Sequence, residues 1–248
     1  MTVMNITAVM TCHSEGVLSG PSFLSFQQAI AHARSNGISV ESLVLLDRPT
    51  PATLRQFANP PIGVQILQTD LGDPGLARNA GAKAAKGTFV SFLDGDDLWC
   101  KAWLTAAHGF CTSDNSPVVA HSECNVVFGE VRVIWWHADS RDSTFDVNYL
   151  RLGNYWDAMS FCRREILFDH PFVANDLAAG IGHEDWHWNC ETFAAGIDHR
   201  PVPGTVHFKR RRKGSQMALC DAAGAMVRDN ALSSYQWERS FSAPKESS

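Results

Sequence analysis

A chain of 248 residues, 45% hydrophobic and 19% charged, can bury a substantial core in one large α/β domain or two small ones, and this composition excludes a disordered tail as its main character. Its formal net charge of -5 argues against a general binder of nucleic acid, and no apolar run is long enough to span a bilayer. The seven cysteines (12, 100, 111, 124, 162, 190 and 220) form no Cys-x-x-Cys pair and are odd in number, which reads as reduced, mostly buried thiols. The start Met1-Thr2-Val3-Met4-Asn5 lacks the basic head of a signal peptide. The expectation is a cytoplasmic protein, with peripheral contact at a membrane surface left open.

Ile6 to Met10 reads as a buried strand leading into the loop Thr11-Cys12-His13-Ser14-Glu15-Gly16. A helix is predicted from Pro21 to Asn36, since Pro21 suits a first helical position, Phe23, Phe26, Ile30 and Ala33 share a face, and Gly37 ends it. Val40 to Leu46 is the second strand, closed by Asp47; Thr50-Pro51 opens a short helix; Val64 to Leu67 is the third strand. Asp73 caps the next helix, Pro74 presets its first turn and Gly87 stops it. The apolar run Phe89-Val90-Ser91-Phe92-Leu93 then reads as a strand ending in Asp94-Gly95-Asp96-Asp97, with a helix starting near Trp99. This alternation predicts an α/β fold: a Rossmann-like, mostly parallel sheet with helices on both faces. In such sheets ligands bind beyond the carboxyl ends of the strands, where Glu15, Asp47 and Asp94 to Asp97 fall.

After Pro117 the pattern changes to short strands with close turns (118–120, 124–128 and 131–136), a polar loop over 139–148, and a strand over 158–162 that runs into a helical turn at Arg163-Arg164-Glu165. This half reads as mixed or antiparallel. With no linker in between, residues 1–239 are expected to form one domain, with halves 1–117 and 118–239, followed by a polar, flexible tail over 240–248.

The acidic strand end carries the first chemical signal. Residues two apart in extended chain point the same way, so Asp94 and Asp96 can face one ligand while Gly95 lets the backbone approach it. Like charges held together call for a cation, and hard carboxylate oxygens suit Mg²⁺ or Mn²⁺. The plainer alternative is an acidic turn in which Asp97 caps the following helix. The Asp-x-Asp strand also admits a phosphatase nucleophile, but that chemistry wants its strand early in the chain.

Taken together, the motifs resemble the family 2 glycosyltransferases of the GT-A fold. Ala77-Arg78-Asn79-Ala80-Gly81 leading into Gly87 to Asp97 is similar to the family's Ala-Arg-Asn-x-Gly helix and Asp-x-Asp strand. Glu184-Asp185-Trp186 resembles its Glu-Asp-Trp helix, and Phe208-Lys209-x-Arg211 with Gly214-Ser215 its basic stretch. The first strand and its loop, with Thr11 and Glu15, fit more loosely. Where the family usually has Asp-Asp-Gly-Ser, Asp47-Arg48-Pro49-Thr50 stands here.

The resemblance implies an inverting transfer of a sugar from a nucleotide-diphosphate donor, a UDP-sugar by preference, to a glycan or lipid-linked acceptor. Asp185, with Glu184 second, would be the general base. Asp96, with Asp94 and His207, would hold Mn²⁺ or Mg²⁺. Thr11, Glu15, Asp47, Arg78, Asp94, Lys209 and Arg211 would face the nucleotide sugar, with Arg210 and Arg212 turned to water. Trp135, Trp136, Trp156, Trp186 and Trp188 could stack on sugar faces, one or two of them against the acceptor. A nucleotide-sugar-binding protein that has lost transfer is the non-enzymatic alternative.

Overall fold

The computed structural model describes residues 4–113 and 116–233, so the expectations for the first three residues and for the tail 240–248 lie outside the described residues. β1 (Ile6–Cys12), α1 (Ser19–Ser35), β2 (Val40–Asp47), α2 (Pro51–Gln56), β3 (Val64–Thr69), α3 (Pro74–Ala84) and β4 (Phe89–Asp94) follow the predicted order. The four strands lie side by side as β3-β2-β1-β4, all parallel. Two caps fix helix starts: Asp73 accepts from Leu76 N at 2.9 Å and Thr50 from Thr53 N at 3.3 Å, each worth about 1 kcal/mol.

The chain continues through β5 (Leu98–Trp99) and α4 (Trp103–Ser113) into β6 (Val118–Gly129), β7 (Val133–Trp136), α5 (Val147–Leu150), β8 (Phe161–Arg163) and α6 (Arg164–Asp169). It continues with β9 (Ile181–Gly182), α7 (Glu184–Ala194), β10 (Asp198–Arg211), α8 (Gln216–Ala223) and β11 (Met226–Val227). β8 runs antiparallel to both β4 and β6, β10 parallel to β6, and β5 and β7 antiparallel to β10 and β6. β9 and β11 form a separate parallel pair. The sheet is therefore parallel on one side and mixed on the other.

Period-two burial in β4 sets the layers. Phe89 and Leu93 join the core against α1 and α4, with Met10, Phe26 and Trp103. Val90 and Phe92 join the opposite layer, where α3, α6 and α7 pack with Val9, Ile166 and Trp188. Asp94 continues the even-numbered face, so its carboxylate emerges toward α3 and α7.

Three expectations change. No helix begins at Trp99, because Leu98 and Trp99 pair with Phe208 and His207 of β10 and α4 starts at Trp103. The strands expected at 118–120 and 124–128 are one strand, which crosses a register shift between Val202 and Val206 of its partner. α3 ends before Gly87, which is required for packing: a Cβ there would lie 2.4 Å from Thr7 N.

All seven cysteines are free and six of them buried. Among the described residues no helix is long and apolar enough to cross a membrane.

Candidate active site

The carboxyl ends of β1, β2 and β4, the starts of α3 and α7 and the end of β10 enclose a cleft of about 670 Å³, in the range of small-molecule sites. Thr11, Glu15, Asp47, Arg78, Asp94, Asp96, Glu184, Asp185, Lys209 and Arg211 all line it; His207 does not.

Arg78 is buried rather than exposed on α3. It donates to Asp94 Oδ1 and to Glu184 Oε1, each at 2.8 Å, and so ties β4 to α7. Burial alone would favour its neutral form, but Asp94 and Glu184 hold its pKa above the usual arginine range. Burial likewise works to raise Asp94, and Arg78 and Lys209 overcome it to hold the carboxyl low. Thr11 donates to the same Asp94 oxygen at 3.3 Å. Glu184 Oε2 accepts from Asn175 Nδ2 at 3.0 Å, so both Glu184 oxygens are engaged.

Asp96 turns a different way from Asp94, because β4 ends at Asp94 and Gly95-Asp96 is a turn. Its Oδ2 accepts from Arg212 Nε at 2.5 Å, and Arg212 Nη2 lies 3.6 Å from Glu15 Oε1. Gly95 is fixed by its own chain: a Cβ there would meet Cys12 Sγ and Thr11 O at 2.9 Å and Glu15 Cδ at 3.1 Å. Burial pushes Glu15 above the usual carboxylate range, and Asp96 adds to the shift.

Asp97 is not a helix cap. It is 2% exposed, accepts from Arg210 N at 2.5 Å and lies 3.7 Å from Lys209 Nζ. Burial raises it well above the carboxylate range, despite Lys209. Lys209 Nζ also lies 3.5 Å from Asp157, a buried acid with no part in the motifs. Asp157 accepts from Asn125 Nδ2 at 2.7 Å and Met159 N at 3.1 Å; burial would raise it, yet Lys209 and the histidines nearby hold it low. Its one signal in the sequence is a lone acid between Trp156 and Ala158, at the entry to a predicted strand.

The basic run does not alternate as expected. β10 ends at Arg211, so Arg212 leaves the sheet and turns into the cleft. Arg210 lies over Phe128 at 4.5 Å, its cross-strand neighbour, and donates to Asp96 O at 3.2 Å. Both residues line the cleft rather than facing water.

Asp185 stands in the first turn of α7 and accepts from Trp186 N at 2.8 Å. Burial and the adjacent Glu184 raise its pKa to about 6. His183, just before the helix, is held at φ 60, left-handed backbone uncommon for a residue with a side chain. Asp47 accepts from Thr69 Oγ1 at 2.8 Å and from Leu71 N and Gly72 N at 2.7 Å, which organises the loop before α3. Trp135, Trp156 and Trp186 line the cleft, whereas Trp188 is core and Trp136 is exposed outside it.

His207 is fully buried with its ring edge-on to Trp103 at 4.4 Å, and neither ring nitrogen has a partner among the described residues. Burial lowers its pKa to about 3. The unfolded chain takes up a proton below about pH 6.5 that the folded one refuses, so this residue's contribution falls with pH at about 1.4 kcal/mol per unit. His207→Leu is expected to be near neutral at pH 7, since it removes two unpaired polar atoms. At pH 5 it should gain about 2 kcal/mol on the parent protein, measured by urea unfolding at both pH values.

The cleft fits a divalent cation, though not as a closed cage. Glu15, Asp47, Asp73, Asp94, Asp96, Asp97, Asp157, Glu184 and Asp185 line it against Arg78, Lys209, Arg210, Arg211 and Arg212, an excess of acids over bases. Among the described residues no three His, Cys, Asp or Glu side chains converge as a metal site. Such a surface suits Mg²⁺ or Mn²⁺ held by one or two carboxylates, with ligand phosphates and water completing the shell.

No curated protein matches this sequence. Among solved structures, TarS residues 1–349 from S. aureus in complex with UDP-GlcNAc is similar at TM-score 0.62 and 18% identity, over 87% of this chain and 61% of that one. The mannosyltransferase PcManGT from Pyrobaculum calidifontis, in complex with GDP-Man and Mn²⁺, is similar at TM-score 0.59 and 18% identity, over 86% and 59%. The chain thus spans about three fifths of the length of these structures, and it shares their fold, the GT-A fold. The family model described as glycosyl transferase family 2 matches residues 25–169, more than half of the sequence. The chain therefore belongs to glycosyl transferase family 2.

Proposed function

We propose that this chain transfers a sugar from a nucleotide-diphosphate donor, a UDP-sugar, to a hydroxyl of a cell-surface glycan or its lipid-linked precursor, with inversion at the anomeric carbon. The observation that carries the reading is Asp185, a carboxylate with its pKa near 6, at the wall of the cleft that also holds Asp94, Asp96 and Lys209. A general base works best when its pKa lies near the operating pH. Both oxygens of the neighbouring Glu184 are engaged by Arg78 and Asn175, which supports Asp185 over Glu184 as the base. Asp185 takes the acceptor's hydroxyl proton while the acceptor oxygen bonds to the anomeric carbon. The bond from that carbon to the diphosphate breaks, and its electron pair leaves with the diphosphate.

Lys209, Arg211 and Arg212 supply positive charge for the leaving group. When bound, a Mn²⁺ or Mg²⁺ on Asp96, with Asp94 nearby, adds Lewis-acid neutralisation of the diphosphate. Thr11, Glu15 and Asp47 border the part of the cleft assigned to the nucleotide; Asp47 keeps lone-pair capacity beyond its three internal bonds. In this reading residues 1–117 bind the donor and 118–239 the acceptor, with the base in the second half. The UDP-GlcNAc and UDP complexes of TarS support a uridine donor, and the Mn²⁺ of PcManGT supports the cation.

Thermal melting against a panel of nucleoside diphosphates, each with and without Mn²⁺, tests the proposal. UDP with Mn²⁺ at a hundredfold excess over Kd should stabilise the protein by about 2.7 kcal/mol, and Asp96→Ala should lose that rise while melting normally without ligand. A metal-dependent rise with another nucleoside would reassign the donor. No rise with any of them, together with release of phosphate from aryl phosphates, would overturn the transferase reading.

A further inference from the structure

The contact between Arg212 and Asp96 has a consequence for how donor and cation bind. Asp96 and Glu15 form one packed corner, because Glu15 Cδ would lie 3.1 Å from any Cβ at Gly95 and the backbone of Thr11 closes the other side. One guanidinium answers both acids: Arg212 Nε at 2.5 Å from Asp96 Oδ2 and Nη2 at 3.6 Å from Glu15 Oε1. Arg212 is partly exposed, at 25%, and lies beyond the end of β10, ahead of a left-handed Gly214 and the Ser215 cap of α8. Its side chain can therefore move without disturbing the sheet. Its place just past the strand end sets it apart from Lys209, which lies within β10 and is clamped between Asp97 and Asp157.

We propose that Arg212 is the internal competitor of the divalent cation for Asp96, and that cation binding releases its guanidinium to the donor's diphosphate. This rests on the metal-assisted transfer reading above. A guanidinium and a divalent cation repel each other and cannot use the same carboxylate oxygen together. Cation alone must displace Arg212, and diphosphate alone meets an arginine already engaged by Asp96 and Glu15. When both are present, the cation takes Asp96 while the planar fork of Arg212 pairs with phosphate oxygens, so each ligand favours the other's binding.

Titration of Mn²⁺ alone and of UDP at saturating Mn²⁺, by calorimetry on the full chain, tests this in the parent protein, Arg212→Ala and Lys213→Ala. Arg212→Ala should bind Mn²⁺ alone about tenfold more tightly and UDP with Mn²⁺ about tenfold more weakly, shifts in opposite directions within the usual span of coupling factors. Lys213→Ala removes the same charge one residue away, from an exposed side chain outside the cleft, and controls for the general field, so it should tighten Mn²⁺ by less than about twofold. Equal tightening in both variants would reduce the effect to net charge and overturn the proposal. Unchanged or weaker Mn²⁺ binding in Arg212→Ala, with UDP weakened, would make Arg212 a simple phosphate ligand and also overturn it. If the parent protein bound no UDP even with Mn²⁺, the transferase reading itself would fail, a result separate from these.

Discussion

Asp185→Asn is expected to lower kcat by about 10²–10⁴-fold, the usual contribution of a positioned base, with donor affinity changed by less than about twofold. The pH profile gives the sharper test. Asp185 has its pKa raised to about 6 by burial and by Glu184, and it must be unprotonated to accept the acceptor's proton. In the parent protein kcat/KM should therefore fall roughly tenfold per unit below about pH 6, and in Asp185→Asn this limb should disappear from whatever activity remains. Glu184→Gln provides the contrast. It loses charge from the pair with Arg78, so it should cost stability first, and a loss of kcat equal to that of Asp185→Asn in folded protein would move the base to Glu184.

Arg78→Leu is expected to cost about 3–5 kcal/mol of stability, because it leaves Asp94 and Glu184 facing each other without the cation that pairs with both. The sign of its pH dependence follows from Asp94. Arg78 holds that carboxyl below its ordinary pKa, so the stabilisation is present above about pH 4 and is lost as pH falls through the folded value. The gap between parent and variant, measured by urea unfolding, should be widest near pH 7 and narrow below about pH 4. A gap that stayed constant with pH would mean that Arg78 stabilises by packing against Phe172, over which it lies at 5.7 Å, rather than by charge.

Much of the parallel half was legible because local rules and the fold agree there. The Thr50-Pro51 and Asp73-Pro74 caps, the apolar face of α1 and the carboxylates closing β4 are read from residues next to one another. The chain after β4 resisted because its order is set at long range. Leu98-Trp99 looks like a helix entrance until β10 arrives to pair with it, and the polar Ser122-Glu123 hides the continuity of β6. The site divides in the same way. The acids and bases were visible as motifs, but their partners were not: Arg78 meets Glu184 across 106 positions, Asp157 belongs to no motif, and Arg212 escapes strand alternation because the strand stops one residue earlier. His207 has the composition of a ligand and the burial of a core residue, and burial is decided by neighbours that its own segment does not contain.

The late arrival of β10 also bears on how the polypeptide matures as it leaves the ribosome. One edge of β6 must wait for a partner about 80 positions downstream, while β7 and β8 pair with the strand earlier, and Asp97 lacks its lysine until Lys209 has been made. Contacts of this span slow folding, and an unpaired strand edge invites association with other chains in the interval. A nascent chain that ends before residue 198 would leave one edge of β6 open and set Arg78, but none of Lys209 to Arg212, against the acidic cluster. Its nucleotide-side architecture would be largely present, but the cleft would acquire most of its positive charge only with the run from Lys209 to Arg212, so binding competence arrives near the end of synthesis rather than growing with each strand.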